Sequence, residues 1–223
     1  MQLWMDTIDF DVIEDAARLG ILAGVTTNPT ILAGSDNEPE TVIRKLLDIQ
    51  PGMVAVQTTE TELSLIVKQA YQIAKINKRI IIKIPAINDG FRAIPILEKE
   101  GVNTLATTIY ETRQIVFASM LGAMYAAPYL DRIESTTGNG FGVLSDAQNI
   151  LSRAQSRTRI MGAAIVNALQ FSGCAKIGIG AITLPAHVYK ELFGSSEHME
   201  SSLSAFNSAW TSNDHTSHSH LFK

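Results

Sequence analysis

One run of seven residues, Arg79-Ile80-Ile81-Ile82-Lys83-Ile84-Pro85, constrains the fold more than any other stretch of this chain. Continuous β-branched residues without polar alternation describe a strand covered on both faces, as inside a parallel sheet wrapped by helices. A single amine, Lys83, sits near the end of that run. Burial disfavours the charged form of an amine, and an amine that sheds its proton near neutral pH can form a Schiff base with a carbonyl. The plainer reading is a lysine that snorkels to water from a strand end. The rest of the chain has to decide between the two.

Apolar runs and amphipathic stretches alternate along residues 1–190 with no linker-like break, the pattern of strand and helix units around a parallel sheet. Strands are predicted at Gln2 to Met5, Leu22 to Val25, Met53 to Val56, the isoleucine run, Val102 to Ala106, Met124 to Ala127 and Arg159 to Ala163. The eighth falls within Lys176 to Leu184, where two glycines obscure its limits. Between them, Thr7 is expected to cap a helix through Leu19, and helices are expected at Glu38 to Asp48, Thr59 to Ala74, Asn88 to Glu100, a stretch ending near Leu121, and one ending near Ala154 after a polar loop, Ser135 to Gly142. Eight such units predict an α/β chain folded as a (β/α)8 TIM barrel, residues 1–196, followed by an extra C-terminal helix, residues 197–210, and a Ser- and His-rich tail, residues 211–223.

A barrel of this kind carries its chemistry at the carboxyl ends of its strands. Asp6, Asn28, Gln57, Lys83, Thr107 and Tyr129 each fall at the end of a different predicted strand. Thr27 lies beside Asn28 in a loop that Pro29 keeps out of helical angles at residue 28. Singly, such residues are turn or cap residues. Together they describe one mouth with an amine, an acid, a phenol, amides and hydroxyls, which favours the nucleophilic reading of Lys83.

Composition narrows the partners. A net charge of −4 offers no basic field for nucleic acid, and no apolar run is long enough to span a bilayer. The first residues lack the basic segment and apolar core of a secretory signal, and a lone cysteine, Cys174, can form no internal disulfide. A cytoplasmic protein with a packed thiol is the expectation.

The stretches Leu3-Trp4-Met5-Asp6-Thr7, Ala23 to Thr30 with its Thr-Thr-Asn-Pro-Thr core, Ile82-Lys83-Ile84-Pro85, Gly101 to Thr107 and Ala127 to Ile133 resemble the small transaldolase family, closest to its fructose-6-phosphate aldolase branch. The resemblance runs from Met1 to about Trp210. It implies a (β/α)8 barrel and a class I aldolase, with Lys83 forming the Schiff base and no metal or other cofactor. Asp6, Thr27 and Asn28 would bind the donor ketone, Gln57 and Thr107 would position a water, Tyr129 would be the acid and base, and Arg132 would meet a substrate phosphate. The substrate would be fructose 6-phosphate or a related ketose, joined reversibly from a dihydroxyacetone-type donor and an aldehyde such as glyceraldehyde 3-phosphate.

Gln57 and Tyr129 resemble the aldolase arrangement, where transaldolases are expected to carry Glu and Phe. A transaldolase moving the same donor between sugars is the alternative, and a barrel that binds sugar without catalysis is a second one. Where the family usually has a Ser-Phe-basic segment after the seventh strand, this chain has Ala164-Ile165-Val166. An acceptor phosphate should therefore matter less, unless Lys176 supplies a substitute cation. The stripe Met199, Leu203, Phe206 and Trp210 in the last helix is implied to pack on a neighbouring subunit, in pentameric rings or a decamer. His215, His218 and His220 are close enough to chelate a stray metal, though a solvated tail is the plainer expectation.

Overall fold

The computed structural model describes residues 1–212, so the tail with His215, His218 and His220 lies outside the described residues. Eight parallel strands follow one another around a closed barrel: β1 (Gln2–Met5), β2 (Leu22–Thr26), β3 (Met53–Gln57), β4 (Ile80–Pro85), β5 (Thr104–Ile109), β6 (Tyr125–Pro128), β7 (Arg159–Gly162) and β8 (Ala181–Leu184), with β8 pairing back onto β1. The helices are α1 (Phe10–Arg18), α2 (Pro29–Ala33), α3 (Pro39–Ile49), α4 (Leu63–Ala74), α5 (Asn88–Lys99), α6 (Thr112–Met120), α7 (Leu130–Thr137), α8 (Gly140–Arg153), α9 (Ala168–Ile177), α10 (Ala186–Phe193) and α11 (Glu197–Thr211). This is the (β/α)8 TIM barrel that the sequence predicts, with the extra helix at its C-terminus.

The isoleucine run becomes β4, buried along its length except at Pro85. Alternate residues of the strands fill the barrel: Trp4, Ala55, Ile81, Leu105, Tyr125 and Met161 belong to one buried cluster. The Trp4 indole meets the Tyr125 ring edge-on, with centroids 5.4 Å apart. That bulk is accommodated because β2 presents Gly24, where a Cβ would lie 2.6 Å from the indole and 2.4 Å from the Met53 carbonyl oxygen. Outside, Arg79 ties α3 to the sheet by donating to the carbonyls of Gln50, Gly52 and Leu47, which close the end of that helix.

Several boundaries differ from the expectations for identifiable reasons. Asp9, not Thr7, caps α1 through a bond from the Val12 amide, while Thr7 accepts from the Asp9 amide. Segment 59–62 stays outside α4 because Gln69 reaches back to accept from the Thr59 amide and donate to its hydroxyl. The expected polar loop at residues 135–142 holds the end of α7 and the start of α8, with Gly138 in the left-handed conformation at the break. Gly178 makes the same turn at the end of α9, so β8 begins only at Ala181. Lys176 is exposed in the last turn of α9, which returns from the carboxyl end of β7 to the amino end of β8. It therefore cannot supply a cation at the mouth.

The chain divides into two units, Met1–Tyr189 and Lys190–Lys223. In the second, Ser196 caps α11, and Met199, Leu203, Phe206 and Trp210 are exposed along it. Among the described residues, no helix is long and apolar enough to cross a membrane, and no group of three or more His, Cys, Asp or Glu could hold a metal ion.

Candidate active site

A cavity of about 150 Å³ opens at the carboxyl ends of the strands, lined by Asp6, Asn28, Lys83, Tyr129 and Arg132 among the residues singled out in the sequence, and by Thr26 and Thr183. Lys83 is only 5% exposed, and its Nζ donates to the Thr27 carbonyl oxygen at 3.1 Å. An ammonium or amine has more hydrogen-bonding capacity than that one contact uses, and the remainder serves the cavity.

The other side chains arrive from different strands. Asp6 follows β1, its backbone held by a bond from its own amide to the Leu184 carbonyl. Its Oδ1 accepts from the Thr26 hydroxyl at 2.6 Å. Thr26 Oγ1 also lies 2.7 Å from Thr183 Oγ1. Since the single proton of Thr26 is committed to Asp6, Thr183 is the donor in that second bond, and the three groups form a directed chain from β8 through β2 to β1. Asn28 both caps α2, accepting from the Ile31 amide at 2.9 Å, and keeps its NH2 for the cavity it lines. Tyr129 and Thr107 hold each other through a 2.9 Å hydroxyl contact. Thr107 lies inside β5, which extends to Ile109, past its expected end at Ala106.

Three residues at this end of the barrel adopt left-handed backbone angles without being glycine: Asn88, at the start of α5, at φ 40°; Thr108, next to Thr107, at φ 59°; and Ala164, which lines the cavity, at φ 52°. A β-branched residue there is costly, of order 1–3 kcal/mol, and such conformations concentrate at functional sites. Above the phenol, the Arg132 guanidinium lies 4.7 Å from the Tyr129 ring centroid and donates to the Tyr110 hydroxyl at 3.3 Å. That hydrogen bond raises the affinity of Arg132 for its proton still further. The Tyr110 ring in turn meets Tyr129 edge-on at 5.7 Å.

Three of the expected site residues do not line the cavity, Thr107 being buried in β5 and meeting it only through its bond to Tyr129. Thr27 is buried with its hydroxyl donating to the Ala55 carbonyl, so its side chain serves the β2–β3 junction and only its carbonyl reaches Lys83. Gln57 pairs with Lys83 across β3 and β4 but lines a separate apolar groove of about 480 Å³ beside α2, α3 and α4. Thr26, Thr183 and Tyr110 were not singled out by sequence reasoning. Thr26 could have been found as the inward residue two positions before Asn28, whereas Thr183 was hidden by the glycines around β8.

The fold and this cavity define a (β/α)8 barrel whose mouth is organised around a buried lysine beside a carboxylate, an amide and a phenol. The family model described as transaldolase/fructose-6-phosphate aldolase matches residues 3–221, and the chain belongs to that enzyme family. It is 31% identical over 194 residues to a probable transaldolase of Desulforudis audaxviator, spanning 87% of this chain and 90% of that one. To a probable transaldolase of Desulforapulum autotrophicum it is 33% identical over 192 residues, spanning 86% and 89%. Among solved structures, thiamine phosphate pyrophosphorylase from Pyrococcus furiosus superposes with a TM-score of 0.55 at 12% identity, covering 86% of this chain and 93% of that one. That likeness concerns the barrel alone.

Proposed function

We propose that this protein is a class I aldolase that reversibly joins a dihydroxyacetone-type donor to an aldehyde, with a ketose such as fructose 6-phosphate in the cleavage direction. The observation that carries the reading is the buried Lys83 amine facing a cavity it shares with Asp6, Asn28 and Tyr129. In the cleavage direction, Lys83 Nζ adds to the ketone carbon and the carbonyl oxygen leaves as water, giving an iminium. The bond between the two carbons beyond it breaks, its electrons moving into the iminium to form an enamine. The phenol of Tyr129 supplies the proton that the departing water needs, and the phenolate so formed takes the proton of the hydroxyl on the departing carbon, directly or through a water, as the aldehyde leaves. Reprotonation of the enamine carbon and hydrolysis by water return the donor and free Lys83. Thr107, bonded to Tyr129, fixes the phenol for this transfer. Asp6 and Asn28 supply an acceptor and a donor for the hydroxyls of the ketone, with Thr26 orienting Asp6.

The second reading is a transaldolase, in which the enamine is captured by another sugar; the names of the relatives support it. We assign the apolar stripe of α11 to a contact with a neighbouring subunit in a ring-shaped homo-oligomer, and the protein to the cytoplasm. Light scattering on the eluted full chain tests the first of these assignments, and a monomer would refute it.

Borohydride reduction in the presence of dihydroxyacetone, hydroxyacetone or fructose 6-phosphate, followed by peptide mass mapping, tests the chemistry. A reduced adduct on Lys83 is expected, and its loss in Lys83→Met. Free donor released from fructose 6-phosphate without an acceptor favours the aldolase over the transaldolase. No adduct with any of the three, under conditions that label a known Schiff-base aldolase, would overturn the reading.

A further inference from the structure

We propose that Arg132 is a positioning residue for Tyr129 and that the acceptor half of the mouth takes an uncharged aldehyde in preference to a phosphorylated one. The inference rests on the aldolase reading of the same cavity. Lys83 and Arg132 are the two cations among the described residues lining it, and Lys83 is consumed by the donor. A phosphate dianion would have to be held by Arg132 and whatever neutral donors stand nearby.

Two of the backbone donors there are already engaged. The first amides of α7, where an anion would gain from the helix terminus, donate to β7-side carbonyls: Leu130 to Ala163 at 2.9 Å and Asp131 to Ala164 at 3.3 Å. The facing wall is Ala163 and Ala164, with no hydroxyl. The Asp131 carboxylate, held by the Gln170 amide group at 3.0 Å, places a negative charge in the same turn as Arg132. Arg132 itself is laid over the Tyr129 ring and tied to Tyr110, while Tyr110 packs edge-on against Tyr129. The three side chains form a closed bracket around the phenol. Releasing the guanidinium to a phosphate would give up the cation–π contact and leave Tyr129 held by Thr107 and one ring edge. The guanidinium therefore contributes alike whether or not the acceptor is charged, and an aldehyde without phosphate meets an apolar wall that asks for no counter-ion.

The test measures addition of dihydroxyacetone to glyceraldehyde and to glyceraldehyde 3-phosphate by the full-length protein and by Arg132→Gln, Tyr110→Phe and the double variant. The wild type is expected to use the uncharged aldehyde at least as efficiently as the phosphorylated one, by kcat/KM. Arg132→Gln should lower kcat by a similar factor, on the order of tenfold, for both aldehydes, with the ratio of their KM values unchanged. Tyr110→Phe should move kcat in the same direction, and the double variant should lose less than the product of the two single losses, because one bracket is being removed twice. A loss of folded protein would also lower kcat alike in both arms, so kcat is expressed per Lys83 site trapped by borohydride, and a fall that vanishes on that scale would refute the positioning role. If Arg132→Gln instead raises KM for the phosphorylated aldehyde alone, or if wild type prefers that aldehyde tenfold or more, Arg132 is a phosphate ligand and the proposal fails. Borohydride trapping at Lys83 is run on each variant. Absence of an adduct in wild type would be a failure of the aldolase reading, whereas adduct formation with the wrong KM pattern would be a failure of this one.

Discussion

The bond chain Thr183–Thr26–Asp6 makes an ordered prediction about two threonines of equal chemistry. Replacing either by valine keeps the shape and removes one hydroxyl. Thr26→Val takes away the donor that the Asp6 carboxylate receives at 2.6 Å, and leaves Thr183 without its acceptor. Hydrogen bonds to a charged group contribute about 1.5–3 kcal/mol, and the orphaned hydroxyl adds to the loss, so a destabilisation of about 2–3 kcal/mol is expected. Thr183→Val removes only the outer, neutral link, worth about 0.5–1.5 kcal/mol, and leaves the bond from Thr26 to Asp6 in place. For a chain of this size each kcal/mol moves Tm by roughly 2–4 °C, which gives drops of about 4–12 °C and about 1–6 °C respectively. Urea titration with equal m-values, alongside calorimetry, separates the two. The direction of the chain is the point at risk. If Thr183→Val costs as much as Thr26→Val, or if Thr26→Val is neutral, the proton of Thr26 does not belong to Asp6 and the assignment of donors is wrong.

Two further perturbations probe the packing. Gly24→Ala should cost at least about 1–3 kcal/mol by urea titration, because the added carbon meets both the indole of Trp4 and the fixed carbonyl of Met53; a neutral result would mean that the interior is looser than the 2.6 and 2.4 Å approaches allow. Cys174 is buried, and desolvation pushes its thiol up to about 12, so at pH 8 only about one molecule in ten thousand carries a thiolate. Thiol-disulfide reagents should react with it slowly in the native protein and rapidly in denaturant. With an ordinary thiol near 8.5 in the unfolded chain, the native state holds the proton more tightly, so this contribution is intact below about pH 8.5 and fades as pH climbs towards 12. Fast native-state labelling at pH 8 would contradict the burial.

Much of the site was legible because strand-end residues in a barrel can be counted off a pattern of apolar runs. Asp6, Asn28, Lys83 and Tyr129 follow four such runs and do line one cavity. Gln57 follows a fifth run equally well and yet borders a different groove, since strand order fixes which end a residue occupies but not which neighbouring side chains close over it. Thr27 and Thr26 are adjacent and chemically identical; the side-chain period of two sends one to a backbone carbonyl and the other to Asp6. Thr183 was obscured because Gly178 and Gly180 read equally as strand breakers or as turn residues, and only the left-handed end of α9 at Gly178 decides the matter. The bracket of Tyr110, Tyr129 and Arg132 joins a loop to α7 and leaves no local trace in sequence.

The left-handed backbone at Thr108 and Ala164 sets a limit on how far this protein can be made robust without consequence. Both positions invite glycine, which adopts such angles freely and would relieve the fold of a strained link. Each is also a splint. Thr108 fixes the strand that presents Thr107 to the phenol, and Ala164 forms part of the wall on which an aldehyde would rest. A chain selected for endurance would drift towards glycine at both, and one selected for turnover would keep the strain, so these two residues are where durability and rate pull against each other.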